Sequence, residues 1–175
     1  MTGGERKSWA DAYARQARSD WDVYCVLAGN ADIPICHRLH YLQMGCEKIA
    51  KAYRWRDTSA GEHGLTHEHV AFSKFIQSFL GSPTMRKDYE GRGEQLRNIS
   101  KLCRNLAREV EKLAPAVDRA NSPENAEYPW AQGGQVIVPC EYEYPSLSLL
   151  RESGGRTFLN LVARSFSEYE LLHIF

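Results

Sequence analysis

The chain has 175 residues, 43% of them hydrophobic, and its 22 basic and 22 acidic side chains sum to zero net charge. A chain of this length buries about 70% of its unfolded surface, so one soluble domain needs no disulfide or metal to fold. No apolar run approaches the roughly 18 residues that span a bilayer, the N-terminus lacks the apolar core of a secretory signal, and the neutral sum lacks the basic excess of a typical phosphate-binding domain.

The five cysteines (Cys25, Cys36, Cys46, Cys103, Cys140) are odd in number, widely spaced and without a C-x-x-C pair. That usage fits reduced thiols, mostly small buried hydrophobes, in a cytoplasmic protein.

Residues 1–120 read as four amphipathic helices. Ser8 and Asp11 form a capping pair for the first, on which Trp9, Tyr13, Ala17, Tyr24 and Leu27 trace one face until Gly29-Asn30. Asp32 caps the second, with Pro34 in its first turn, and Ile35, Leu39, Leu42, Cys46, Ile49 and Tyr53 make a continuous seam. Asp57–Gly64 reads as a loop. Thr66 caps a third helix carrying Val70, Phe72, Phe75, Ile76 and Phe79, which stops near Gly81-Ser82-Pro83. The fourth starts near Gly93 or Glu94 and alternates threes and fours through Leu96, Ile99, Cys103, Leu106, Val110, Leu113 and Val117, with Pro115 predicting a kink or an early end.

Beyond residue 120 the texture changes. Pro123, Pro129, Pro139 and Pro145 fall in one stretch with Tyr128, Trp130, Tyr142 and Tyr144. Gly133-Gly134 and Val136-Ile137-Val138 predict one small hairpin. Gly154-Gly155 reads as a turn before a closing helix with Phe158, Leu161, Val162, Phe166 and Tyr169 on one face. The sequence therefore predicts an all-α fold: an antiparallel four-helix bundle over 1–120, and over 121–175 an irregular proline- and aromatic-rich excursion plus a C-terminal helix packed on the same domain.

The zero charge conceals two unequal parts. Residues 1–120 carry 19 basic and 15 acidic side chains, and residues 121–175 carry 3 and 7. On the fourth helix Arg97, Lys101, Arg104 and Arg108 recur on the face opposite the apolar seam. Such a stripe reads as a solvated back, as a ridge facing RNA phosphates, or as a surface masked by the acidic tail. Tyr128 and Trp130 either pack back on the bundle or serve as interface anchors.

Six histidines raise zinc, but His37 and His40 beside Cys36, and His63, His67 and His69, form two groups separated by a helix without H-E-x-x-H or C-x-x-C spacing. No metal site and no cofactor is expected. Gly91-Arg92-Gly93 lacks the strand and the third glycine of a phosphate-cradling loop.

The second helix, His40-Tyr41-Leu42-Gln43-Met44-Gly45-Cys46-Glu47-Lys48-Ile49-Ala50-Lys51-Ala52-Tyr53, resembles that of HEPN domains, and Thr66–Leu80 resembles their third. The resemblance covers roughly residues 8–120 and implies an up-and-down four-helix bundle. Catalytic members of that family are metal-independent ribonucleases using an Arg, four to six residues, then a His. The His moves a proton at the 2′-hydroxyl or leaving oxygen and the Arg stabilises the phosphorane. Arg97-Asn98 matches the opening of that motif, but Leu102, Cys103 and Arg104 stand where the His should fall. Arg56 with His63 fits the spacing in a loop, out of its helical context.

The resemblance implies a non-catalytic binding or accessory module of a toxin–antitoxin or phage-defence system. Its expected partners are a second copy, a protein encoded nearby and RNA, and no membrane. Arg97, Lys101, Arg104, Arg108, Tyr128 and Trp130 are the candidate contacts. The alternatives are a ribonuclease built from Arg97, Asn98, Arg104 and a folded-in His37 or His40, and a metal-binding bundle.

Overall fold

In the computed structural model, which describes residues 2–58, 72–117, 120–121 and 123–171, the chain is mostly helical. Helix α1 (Gly3–Ala28) starts before the expected Ser8. Thr2 is its cap: the hydroxyl accepts the Glu5 N–H at 3.2 Å while the Glu5 carboxylate accepts the Thr2 N–H at 2.7 Å. This reciprocal box satisfies two otherwise orphaned donors. Ser8 instead lies inside the helix and donates to the Gly4 carbonyl.

Helix α2 (Ile35–Arg56) begins directly after Pro34, without the side-chain cap expected from Asp32. It is apolar on two sides. Leu39, Leu42, Cys46 and Ile49 enter the main core, while Gly45 faces antiparallel α1. A Cβ on Gly45 would meet the Trp21 amide at 3.4 Å and the Ala17 carbonyl at 3.5 Å, so the small residue sets how closely the two helices pass. At the edge of this contact Lys48 pairs with buried Asp20 at 2.6 Å, and Glu47 holds Lys51 and Gln43. Asp20 and Lys51, the buried charges of this contact, are thus paired, as their desolvation demands.

Helix α3 (Phe72–Leu80) does stop at Gly81, but Ser82 accepts the Met85 N–H and Pro83 opens another helix, α4 (Pro83–Asp88). Among the described residues of 1–120 there are therefore five α-helices where four were expected. The Ser-Pro pair, read as a stop, is also a start. Helix α5 (Gly93–Lys112) ends ahead of Pro115, as that proline predicts.

The excursion packs back on the helices. Strands β1 (Trp130–Gln132) and β2 (Gln135–Ile137) pair antiparallel, Trp130 opposite Ile137, through Gly133-Gly134 with φ of +59° and +79°. Both signs suit the mirror-image turn that hairpins prefer. Trp130 sits edge-on to Tyr142, and buried Tyr144 donates its hydroxyl to the Asn125 carbonyl at 2.9 Å. Two 3-10 turns (Pro139–Glu141 and Pro145–Arg151) lead into α6 (Ser153–Leu171). Phe158, Leu161, Val162, Phe166 and Tyr169 are all buried there, as their spacing predicts. Gly154-Gly155 belongs to the first turn of α6, not to a preceding turn. Among the described residues no helix is long and apolar enough to cross a membrane.

Candidate functional site

Helix α5 divides its two faces cleanly. Cys103, Leu106 and Val110 are buried on one side, and Arg97, Asn98, Lys101 and Arg108 are exposed on the other. Arg104 is half-buried, and its Nε is enclosed without a hydrogen-bond partner among the described residues. Arg97, Lys101, Arg104 and Arg108 make no ion pair with any described residue, as is also true of Arg86 and several other exposed cations.

The first half of this ridge is one wall of a groove of about 450 Å³. Gly93, Leu96, Arg97, Ser100, Lys101 and Arg104 line it from α5, and Gln77, Leu80, Gly81 and Arg86 from α3 and α4. All four charged lining residues are cations. Two of the nearby acids are engaged elsewhere, while Glu94 stands exposed in the first turn of α5 outside the lining. Asp88 pairs with Arg164 at 2.6 Å, and Glu111 turns inward to accept the Ser73 N–H at 2.8 Å, holding the start of α3 against α5. A field of one sign between low-dielectric walls attracts anions.

The acidic tail does not mask the ridge. Of its seven carboxylates, Glu127 lies beside His40, Glu168 binds Arg164, Glu170 binds Arg18 and Glu124 accepts from the Tyr142 hydroxyl. None of the seven pairs with α5. Trp130 offers no surface either. It is 6% exposed because Tyr142 and Tyr144 enclose it, whereas Tyr128 is 55% exposed.

Nor is a histidine brought to the groove. His40 sits 3.5 Å from Glu127, next to Ala126, whose N–H bonds the Leu113 carbonyl just past the end of α5. Arg97 is sixteen residues earlier on that helix, about 24 Å away along its axis. His37 is exposed in the first turn of α2, also outside the groove. His63, His67 and His69, and with them the Arg56–His63 pairing, lie outside the described residues. Among the described residues no three His, Cys, Asp or Glu side chains are placed to hold a metal ion.

Cys103, which stands where the family motif would have its histidine, is enclosed in the core, and burial pushes its thiol up to about 12. It stays protonated and cannot shuttle a proton near neutral pH. What the geometry can do is bind anionic groups, with Gln77 and Ser100 as neutral hydrogen-bonding groups beside the cations. Arg86, Gln77 and Ser100 were not singled out from sequence. The one available signal was the Ser82-Pro83 helix start, which turns Arg86 toward α5.

No family model matches the chain, and neither a curated protein nor a solved structure matches it.

Proposed function

We propose that the chain is a HEPN-like helical bundle without the ribonuclease motif, working as a binding or accessory module that holds the phosphates of RNA. The bundle reading takes α1, α2, α3 and α5 as its four staves. In its favour, α1 packs along α2, α3 along α5, and α2 touches both α3 and α5. The resemblance of the second and third helices extends this reading to a toxin–antitoxin or phage-defence setting, with a homodimer or a neighbouring protein as partner.

The observation that carries the binding role is the α5 ridge, four cations with no ion-pair partner among the described residues, beside a groove whose lining contains no acid. An unpaired cationic surface binds a polyanion by releasing its counter-ions, with an affinity that falls steeply as salt rises. Incubation of the purified protein with labelled RNA in EDTA tests the reading. The expected result is a salt-sensitive complex with intact RNA, weakened by Arg97→Ala. RNA cleavage abolished by Arg97→Ala would overturn it.

A further inference from the structure

We infer that Cys36 and Cys140 form a redox-modification site, at which a peroxide joins them as a disulfide that staples the excursion to α2. The inference stands apart from the RNA reading, since neither residue lines the α5 groove. The excursion meets the start of α2 at two neighbouring places. Glu127 reaches His40, and the 3-10 turn Pro139–Glu141 packs on the same helix, with Cα atoms of the two elements within 8 Å. Cys36 and His40 are four residues apart and so share one face of α2. Cys36 is 2% exposed and belongs to the same core cluster as Tyr144. The Tyr144 hydroxyl lies 3.5 Å from the Pro139 carbonyl, one residue before Cys140. One ring thus touches the turn that carries one thiol and packs in the cluster that holds the other.

Cys36 also senses Cys140. Burial is the main cause that raises the Cys36 thiol, and Cys140 raises it further, as a close neighbour does. Cys25 and Cys46 make the contrast: both act on Tyr24, yet neither is a cause of the other's shift. A disulfide spans roughly 4–7 Å between Cα atoms. The turn that carries Cys140 is only three residues long, so a small backbone shift closes that span. Exposure gives the two thiols different tasks. Peroxide reaches the exposed Cys140, while the enclosed Cys36 waits as the resolving thiol. The Cys140 sulfur attacks one oxygen of hydrogen peroxide, the O–O bond breaks, and water leaves a sulfenic acid behind. The Cys36 sulfur then attacks the Cys140 sulfur, the S–S bond forms and the S–O bond breaks. The departing hydroxide takes the Cys36 proton as a second water. Two thiols are oxidised to one disulfide, and one peroxide is reduced to two waters.

The test treats the purified, reduced protein with dilute hydrogen peroxide, alkylates it in denaturant and digests it without reductant. Mass spectrometry then finds a Cys36–Cys140 cross-linked peptide that dithiothreitol removes, and neither of these two cysteines is alkylated. Closing a loop of roughly 100 residues raises the thermal midpoint by about 5 °C or more, and reductant reverses the rise. Cys36→Ala and Cys140→Ala each abolish it, and in Cys36→Ala the unresolved Cys140 goes on to the sulfinic acid. Circular dichroism verifies that the Cys36 variant is folded, while Cys140→Ala alters only an exposed side chain. Cys25→Ala, which removes the other exposed thiol, leaves cross-link and midpoint rise unchanged. Wild-type Cys140 found as sulfinic acid, or bridged to a second chain, with Cys36 still alkylating, would overturn the site. So would peroxide-treated protein in which Cys36 and Cys140 both still alkylate.

Discussion

His40 and Glu127 face each other at 3.5 Å, the ring on α2 and the carboxylate on the excursion, each side chain 28% exposed. The pair joins the excursion to α2 beyond the end of α5 remote from Arg97, which gives His40 a structural post. His40→Ala is expected to leave RNA binding unchanged and to cost no more than about 1 kcal/mol, the range of a single partly exposed polar contact. Denaturant unfolding beside an RNA titration checks it. An RNA-cleaving activity abolished by His40→Ala would instead return this histidine to chemistry.

The seam of α5 was legible because Leu96, Ile99, Cys103, Leu106 and Val110 hold one helical period over about four turns, and Pro115 marks the end of that helix because its ring would clash with the carbonyl four residues earlier. Helix α4 was not, since its six residues are too short to show a period and only Ser82-Pro83 announces it. The ridge could be read from spacing, but the groove could not. Its second wall depends on where Glu111 docks the start of α3, a contact spanning 38 residues. Trp130 was open to two readings because an aromatic beside prolines looks alike whether it anchors a loop or a partner; the rings of Tyr142 and Tyr144 decided it.

The thiols divide by burial. Cys25 and Cys140 are exposed, while Cys36, Cys46 and Cys103 are buried. Burial raises Cys103 to about 12 and Cys46 well above the ordinary thiol value, so neither supplies thiolate under native conditions. Iodoacetamide is expected to label two cysteines in the folded protein and five after denaturation. Peptide mass spectrometry reads the sites, and rapid native labelling of Cys103 would contradict its placement in the core.

Alkali should unfold the protein through its tyrosines. Burial, the largest cause in each case, raises Tyr169 and Tyr24 to about 12, and Tyr144 and Tyr53 also lie above the unfolded value of 10.0. Their neutral form is favoured in the fold, so the unfolded state gives up protons first. The contribution is fully present below pH 10.0 and is lost as pH rises through the folded values. Stability is therefore expected to fall between pH 10.0 and about 12. Circular dichroism and tyrosinate absorbance should change together there; full tyrosinate absorbance with retained helicity would refute the coupling. Tyr144→Phe also leaves the buried Asn125 carbonyl without its donor, at about 1 kcal/mol near neutral pH.

Gly155 provides the sharpest packing test. A Cβ on it would stand 2.4 Å from both the Cα and the carbonyl oxygen of Leu150, and 2.5 Å from the Leu149 carbonyl oxygen. These are backbone atoms and cannot rotate away, so the second 3-10 turn must shift before an alanine fits. The cost should be about 3 kcal/mol, the upper end of ordinary overpacking, despite alanine's better helix propensity. Gly133, with open space around it but φ of +59°, makes the contrasting case. Gly133→Ala suffers only from the left-handed backbone, at about 1–2 kcal/mol. Because that hairpin projects from the helices, the smaller penalty should fall on local order rather than on global stability. Denaturant midpoints with hydrogen exchange across both segments separate the two effects. A Gly155→Ala protein as stable as the wild type would show that α6 does not press against Leu150 as described.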